Sequence, residues 1–227
     1  MVSSLSGYGL STVISLPTSS IRFPAHAFEP DAVARTSISG FCQHAVVTTT
    51  SPDQRPDEAT LEILRSAFDP EWREPALGHE AVSVWESENR VTLPEPYRTL
   101  IAEIANGSPL GPPEDGGLLP LGWLPPGWPH QRTRNPAAPF PLQEAWAWED
   151  ENPAEDHHER VATVYNHGSV VLGTDDELSY WVLVVAGPQR GKVWLVTDVG
   201  AYPYPMPEAL GFLEWVQRWH AGDSWWD

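Results

Sequence analysis

The sequence predicts an α+β domain in which a mostly antiparallel sheet is packed by amino-terminal helices and a carboxy-terminal helix. Three observations lead there. Apolar residues recur at helical spacing early in the chain and again near its end. Between them lies a run of short β-branched and aromatic segments separated by glycine-bearing turns. Close to half of the 24 prolines fall in residues 108–160, which must therefore be largely irregular. With 227 residues, 41% hydrophobic and 12 of them Trp, the chain can build a substantial core.

Residues 1–56 are rich in Ser, Thr, Pro and Ala and nearly free of charge. They read as a flexible or misassigned leader, with the natural start expected further in and the domain occupying residues 57–227. A first helix is expected over residues 57–68, where Asp57 can cap free amides and Leu61, Leu64 and Phe68 share a face. A second, over 79–89, brings Val82 and Trp85 together. The clearest helix opens at Leu93-Pro94-Glu95-Pro96-Tyr97, because proline suits a first turn and Glu95 complements the amino-terminal dipole. Tyr97, Leu100, Ile101 and Ile104 follow at i, i+3, i+4 and i+7, and Asn106-Gly107 tolerates the left-handed conformation at which helices end.

Residues 108–160 form a proline-rich acidic insertion that wraps the surface around a short strand at 118–124. Beyond it the period becomes strand-like at 161–165, 169–172, 180–186 and 192–197. The intervening turns are His167-Gly168, Gly173-Thr174-Asp175-Asp176 and Gly187-Pro188-Gln189-Arg190-Gly191, so the strands are expected to form an antiparallel meander. A closing helix over 207–220 sets Phe212, Trp215, Val216 and Trp219 on one face to cover the sheet.

The charge is −18, from 13 basic and 31 acidic residues. Residues 1–50 hold two of each sign (Arg22, Arg35, Glu29, Asp31), so the other 177 residues hold 11 basic and 29 acidic groups and the whole imbalance. Such a field repels phosphate backbones and anionic lipid, and steers basic partners inward. Direct nucleic-acid binding and membrane association are therefore not expected; solubility or a basic partner accounts for the charge. Cys42 is the only cysteine, which excludes an intramolecular disulfide and fits a reducing, cytoplasmic compartment.

Leu93-Pro94-Glu95-Pro96-Tyr97-Arg98, with Asn106-Gly107 seven residues on, resembles the LP-x-x-Y…NG signature of the SMI1/KNR4 (SUKH) superfamily. A late strand Gly191-Lys192-Val193-Trp194 and a terminal helix with Phe212-Leu213-Glu214-Trp215 match further pieces of that pattern in the same order, over roughly residues 57–220. Leu93, Pro94, Tyr97, Asn106, Gly107, Gly191, Trp194, Phe212 and Trp215 are the residues that carry the resemblance, and their roles in it are structural. The insertion at 108–160 departs from the family, whose members are usually shorter there. The resemblance implies an SMI1/KNR4-like fold and a protein-binding module without catalytic residues or a cofactor. Known members include bacterial immunity proteins that neutralise polymorphic toxins, often nucleases, and eukaryotic scaffold or regulatory proteins.

The residues themselves offer little chemistry. Asp156-His157-His158-Glu159 holds imidazoles and carboxylates, but adjacent residues of an extended chain point to opposite sides and no second cluster stands at helical spacing. A metal-dependent hydrolase using Asp156, His157 and His158 is the alternative from a different class. The glycines of 187–191 lack the Lys-Ser/Thr pair of a phosphate-binding loop, which leaves Arg190 solvated at a turn. Trp85, Trp181, Trp194, Trp215 and Trp219 stand at periodic positions and are assigned to the core. Trp123, Trp128, Trp146 and Trp148 lie outside periodic structure and beside acids, the mixture expected of a recognition surface. The partner-binding set is thus those four with Glu149, Asp150, Glu151, Asp156, Asp175, Asp176 and Glu177, facing a basic toxin domain.

Overall fold

The computed structural model describes residues 53–113, 116–129, 134–148, 157–176 and 178–223. All belong to one compact unit, Val47–Asp227. Of the expected leader, residues 1–52 lie outside the described residues. Its last four belong to the domain: Arg55 pairs with Glu103 at 2.8 Å, Asp53 with Arg190 at 2.7 Å, and Pro56 is buried.

The first helix, α1 (Glu58–Ala67), begins where Asp57 accepts a hydrogen bond from the Thr60 amide at 2.9 Å. Helix α2 (His79–Asn89) ends at Arg90, which takes the left-handed conformation (φ 54°). The third helix differs from its expectation in two ways. It starts only at Tyr97, as a single α turn α3 (Tyr97–Thr99), and continues as a π-helical turn Leu100–Ile104 closed by the Ala105 amide donating to the Leu100 carbonyl at 2.9 Å. The chain then leaves through an extended Ala105 rather than a left-handed cap. Gly107 has φ +117°, and its neighbours leave no room for a side chain: a Cβ there would stand 2.9 Å from the Leu118 carbonyl oxygen.

The strand expected at 118–124 is absent. Leu118 makes one isolated bridge to Ser108, and Pro120 and Pro125 each begin a turn, their carbonyls accepting from Trp123 and Trp128. Strand β1 (Trp146–Ala147) is the one sheet element of the described part of this segment. Residues 161–165, expected as strand, belong to helix α4 (His157–Asn166). Val161, Val164 and Tyr165 fall at i, i+3 and i+4 and are all buried, a pattern that a β-branched run disguises. His167-Gly168 is accordingly a helix-to-strand junction and not a hairpin turn.

Strands β2 (Ser169–Thr174), β3 (Tyr180–Val184), β4 (Val193–Val196) and β5 (Gly200–Pro203) complete a five-stranded, wholly antiparallel sheet in the order β1-β5-β4-β3-β2. Val182 pairs with Val171 on one side and Trp194 on the other. Strand β5, unforeseen from Gly-Ala-Tyr-Pro, pairs its terminal Pro203 with Trp194. Helix α5 (Phe212–Ala221) starts five residues later than expected, at the cap Gly211.

Both faces of the sheet are covered. Trp181, Leu183, Val170, Leu172 and Val193 join α1, α2, the Tyr97–Ile104 helix and α5 in one core around Leu64, Phe68, Tyr97 and Trp215. Tyr180, Val182, Val184, Val171, Trp194 and Val196 face the other way, into a second core with Val161, Val164 and Tyr165 of α4 and with Trp128, Phe140 and Trp148 of the proline-rich segment. Strict alternation along β3 sorts its side chains between the two. The structure is thus helices, sheet, and a third layer made of α4 and irregular chain.

Candidate functional site

Of the residues that carry the resemblance, Leu93, Tyr97, Phe212 and Trp215 come together in the helical-face core, whereas Trp194 points into the opposite one. Tyr97 is fully buried with its ring edge-on to Phe212, centroids 5.1 Å apart, and Phe212 in turn lies 5.9 Å from Trp215. Burial pushes the Tyr97 hydroxyl well above its ordinary value. Asn106 turns its side-chain oxygen to accept from the Leu121 amide at 2.9 Å, holding the start of the proline-rich segment. Glu95 accepts from the Thr99 amide and hydroxyl at 3.1 and 2.8 Å. Arg98 forms a two-pronged pair with Glu86, at 2.9 and 3.1 Å, and Glu86 also accepts from the Leu93 amide. Between these segments lies a cleft of about 120 Å³ bordered by Glu95, Pro96, Lys192, Gly211 and Glu214. Arg190, expected to be solvated, instead pairs with Asp53 and donates to the Thr92 carbonyl at 3.1 Å.

The expected recognition surface divides. Trp123 is 65% exposed and projects from the domain. Trp146 is half-buried, with the Arg160 guanidinium 4.3 Å from its ring centre and the rings of Trp148 and His157 edge-on at 5.2 and 6.0 Å. Trp128 and Trp148, placed on that surface by their irregular surroundings, are core residues, 3% and 6% exposed. The irregular segment is itself one layer of the core, so lack of periodicity does not place a side chain outside. Trp128 stands edge-on between Tyr165 and Tyr180, at 5.4 and 4.9 Å, and the Trp148 indole donates to the Asp198 carbonyl at 2.6 Å. The core assignments of Trp181, Trp194 and Trp215 match their burial of 1%, 0% and 0%; Trp85 and Trp219 are partly buried against the helical-face core.

Two of the expected acids build the turn they stand on. Asp175 accepts from the Trp181 indole at 2.6 Å, and Asp176 accepts from the Leu178 and Ser179 amides at 2.7 and 2.5 Å. Glu149, Asp150, Glu151, Asp156 and Glu177 lie outside the described residues. His157 and His158 occupy the first turn of α4 with ring centres 5.9 Å apart. Among the described residues no group of three or more His, Cys, Asp or Glu is placed to hold a metal ion. No helix among them is long and apolar enough to cross a membrane.

Arg134 was not anticipated. Its guanidinium lies 5.1 Å from the Trp128 ring centre and donates to the Ser169 carbonyl and hydroxyl at 2.7 and 3.0 Å, beside the end of α4. Burial pulls it down to about 10, since no carboxylate pairs with it among the described residues. The Ser169 carbonyl and hydroxyl oxygens and the face of the Trp128 ring supply the negative potential instead.

Sequence reasoning also missed a pocket of about 210 Å³ on the face covered by α4. Val161, Tyr165 and Tyr180 are buried in its floor, Pro129 and Leu178 stand at its rim, and Asp198 lies on one side. The signal available was Leu178, an apolar residue directly after the acids of a turn; nothing in the sequence joined it to Asp198 or Tyr165. Comparison with family models, with curated proteins and with solved structures returned no match.

Proposed function

We propose that this chain is a protein-binding module of the SMI1/KNR4 type that acts as an immunity protein, neutralising a basic toxin domain by occupying it and performing no reaction of its own. The observation that supports this reading is how the cations are used. Arg55, Arg65, Arg98 and Arg190 are tied to Glu103, Glu58, Glu86 and Asp53, while Arg73 and Arg134 are turned onto backbone carbonyls. The 29 acids against 11 bases in residues 51–227 leave an excess of 18 carboxylates, whichever acids the cations pair with. A field of that sign speeds capture of a basic partner, and aromatic anchors such as Trp123 and Trp146 hold what it captures.

Affinity capture with the full chain, followed by co-expression of whatever is captured, tests the proposal. The expected result is one stoichiometric basic polypeptide that is toxic alone and harmless beside this chain, with protection lost when Glu149, Asp150 and Glu151 are all replaced by Lys. Protection unchanged by those replacements would remove the proposed surface. Capture of a large signalling or cytoskeletal assembly in place of a toxin would assign the chain to the scaffold members of the same class.

A further inference from the structure

The pocket floored by Tyr165 and Tyr180 has the size and chemistry of an anchor site. At about 210 Å³ it is smaller than the roughly 300–1,000 Å³ typical of small-molecule sites, and it suits one long side chain. Its walls are apolar because both phenols spend their polar ends on the backbone: the Tyr165 hydroxyl donates to the Thr197 carbonyl at 2.6 Å and that of Tyr180 to the Gly127 carbonyl at 3.3 Å. Burial, with the nearby Tyr180 and Asp198, holds the Tyr165 hydroxyl above its ordinary value, so it stays neutral.

The rim is preorganised. Leu178 is 54% exposed, and the backbone that presents it is held by Asp176, which accepts from its amide and from that of Ser179. Asp198 is exposed too; its carbonyl is held by the Trp148 indole, while its carboxylate makes no hydrogen bond or ion pair among the described residues. An exposed leucine, two tyrosine rings and one uncommitted carboxylate are what a lysine or arginine requires. Its methylene stem lies on apolar surface, and its charged head reaches an acid at the lip. A purely apolar group would leave Asp198 unused, and an anion would meet both Asp198 and a chain of net charge −18.

We propose that this pocket receives one arginine or lysine side chain of a basic polypeptide partner, with Leu178 and the tyrosine rings taking the stem and Asp198 the charge. The assignment rests on the protein-binding reading above and adds the anchor point to it.

The test is a titration of butylguanidinium into the full chain, followed by NMR at the Leu178 methyls and the Tyr165 and Tyr180 rings. Saturable shifts at these groups are expected, with affinity two- to fivefold weaker, roughly the range of an exposed ion pair, in Asp198→Asn. Pentanol, with a similar stem and no charge, should bind more weakly than butylguanidinium. Absence of saturable shifts, equal affinity in Asp198→Asn, or equal binding of pentanol overturns the assignment. Both Asp198 and Leu178 are exposed, so Asp198→Asn and Leu178→Ser should keep the wild-type spectrum elsewhere. A captured partner that binds the Asp198→Asn/Leu178→Ser variant as tightly as wild type refutes the anchor and leaves the binding function standing. Specific butylguanidinium binding without any polypeptide partner does the reverse.

Discussion

The two faces of the sheet solve the same problem with different materials. One is covered by four helices whose apolar stripes meet Trp181, Leu183 and Val193. The other is covered by α4 and by a proline-rich segment with almost no regular structure of its own, yet Trp128, Phe140 and Trp148 are core residues there, as Trp215 is opposite. The irregular cover works because its amides are matched one at a time to carbonyls of the sheet region and α4. Leu119 donates to Leu172 at 2.7 Å, Asn135 to Asn166 at 2.8 Å, Phe140 to Ala186 at 2.9 Å and Trp148 to Val199 at 2.9 Å. A helix satisfies its backbone internally and spends its side chains on packing. The irregular layer needs the sheet for both, so its stability is borrowed from the elements beneath it.

Hollowing each core in turn should separate the two layers most strongly. Trp215→Ala and Trp128→Ala should each cost about 3–5 kcal/mol in chemical denaturation. Native-state hydrogen exchange should separate them. Trp128→Ala should loosen residues 134–148 and α4 while α1 and α5 stay protected, whereas Trp215→Ala should lower protection throughout. Equal, global loss in both variants would mean that the irregular layer is not a separate cooperative unit.

Gly168→Ala comes next. Gly168 has φ +65°, and a Cβ there would stand 2.2 Å from the Phe140 amide nitrogen, so the cover and the α4–β2 junction cannot both keep their places. A loss of at least about 2 kcal/mol is expected from thermal or chemical unfolding, with Phe140 displaced. On the helical face, Glu86→Gln weakens the two-pronged pair with Arg98 but keeps an acceptor for the Leu93 amide. A smaller loss of about 1–2 kcal/mol should follow.

The smallest effect belongs to Asp57. The Thr60 amide holds its carboxyl below the ordinary value of 3.8, so its contribution is present above that value and disappears as pH falls through the lower folded-state value. Asp57→Asn keeps a cap and should flatten the acid limb of a stability-against-pH curve below about pH 4 while leaving neutral stability nearly unchanged. An unaltered acid limb would show that the carboxylate is not the titrating cap.

The helical face was largely legible in the sequence because its signals are local. Asp57 caps as its type predicts, and α2 spans the expected residues 79–89. The Tyr97–Ile104 helix departs from expectation in its start, its π-helical turn and its extended exit, yet its buried face, Tyr97, Leu100 and Ile101, is the one the spacing picked out. The other face was not legible, because its order comes from contacts between residues far apart in sequence. Val161, Ala162, Thr163, Val164 and Tyr165 satisfy a strand pattern as well as a helical one over so short a window, and the sheet beneath decides between them. Trp128 and Trp148 show no period, since a chain held by single hydrogen bonds to its neighbours needs none. The same reason hides the pocket. Leu178, Asp198 and Tyr165 come from a turn, a loop and a helix, and only the folded sheet brings them to one rim.

In the proposed function, an excess of acid draws in a basic polypeptide. The association rate of the full chain with its captured partner, measured by stopped flow between roughly 0.05 and 0.5 M salt, tests this most directly. The rate should fall by on the order of tenfold or more across that range, while the dissociation rate changes far less. An association rate indifferent to salt would contradict the account.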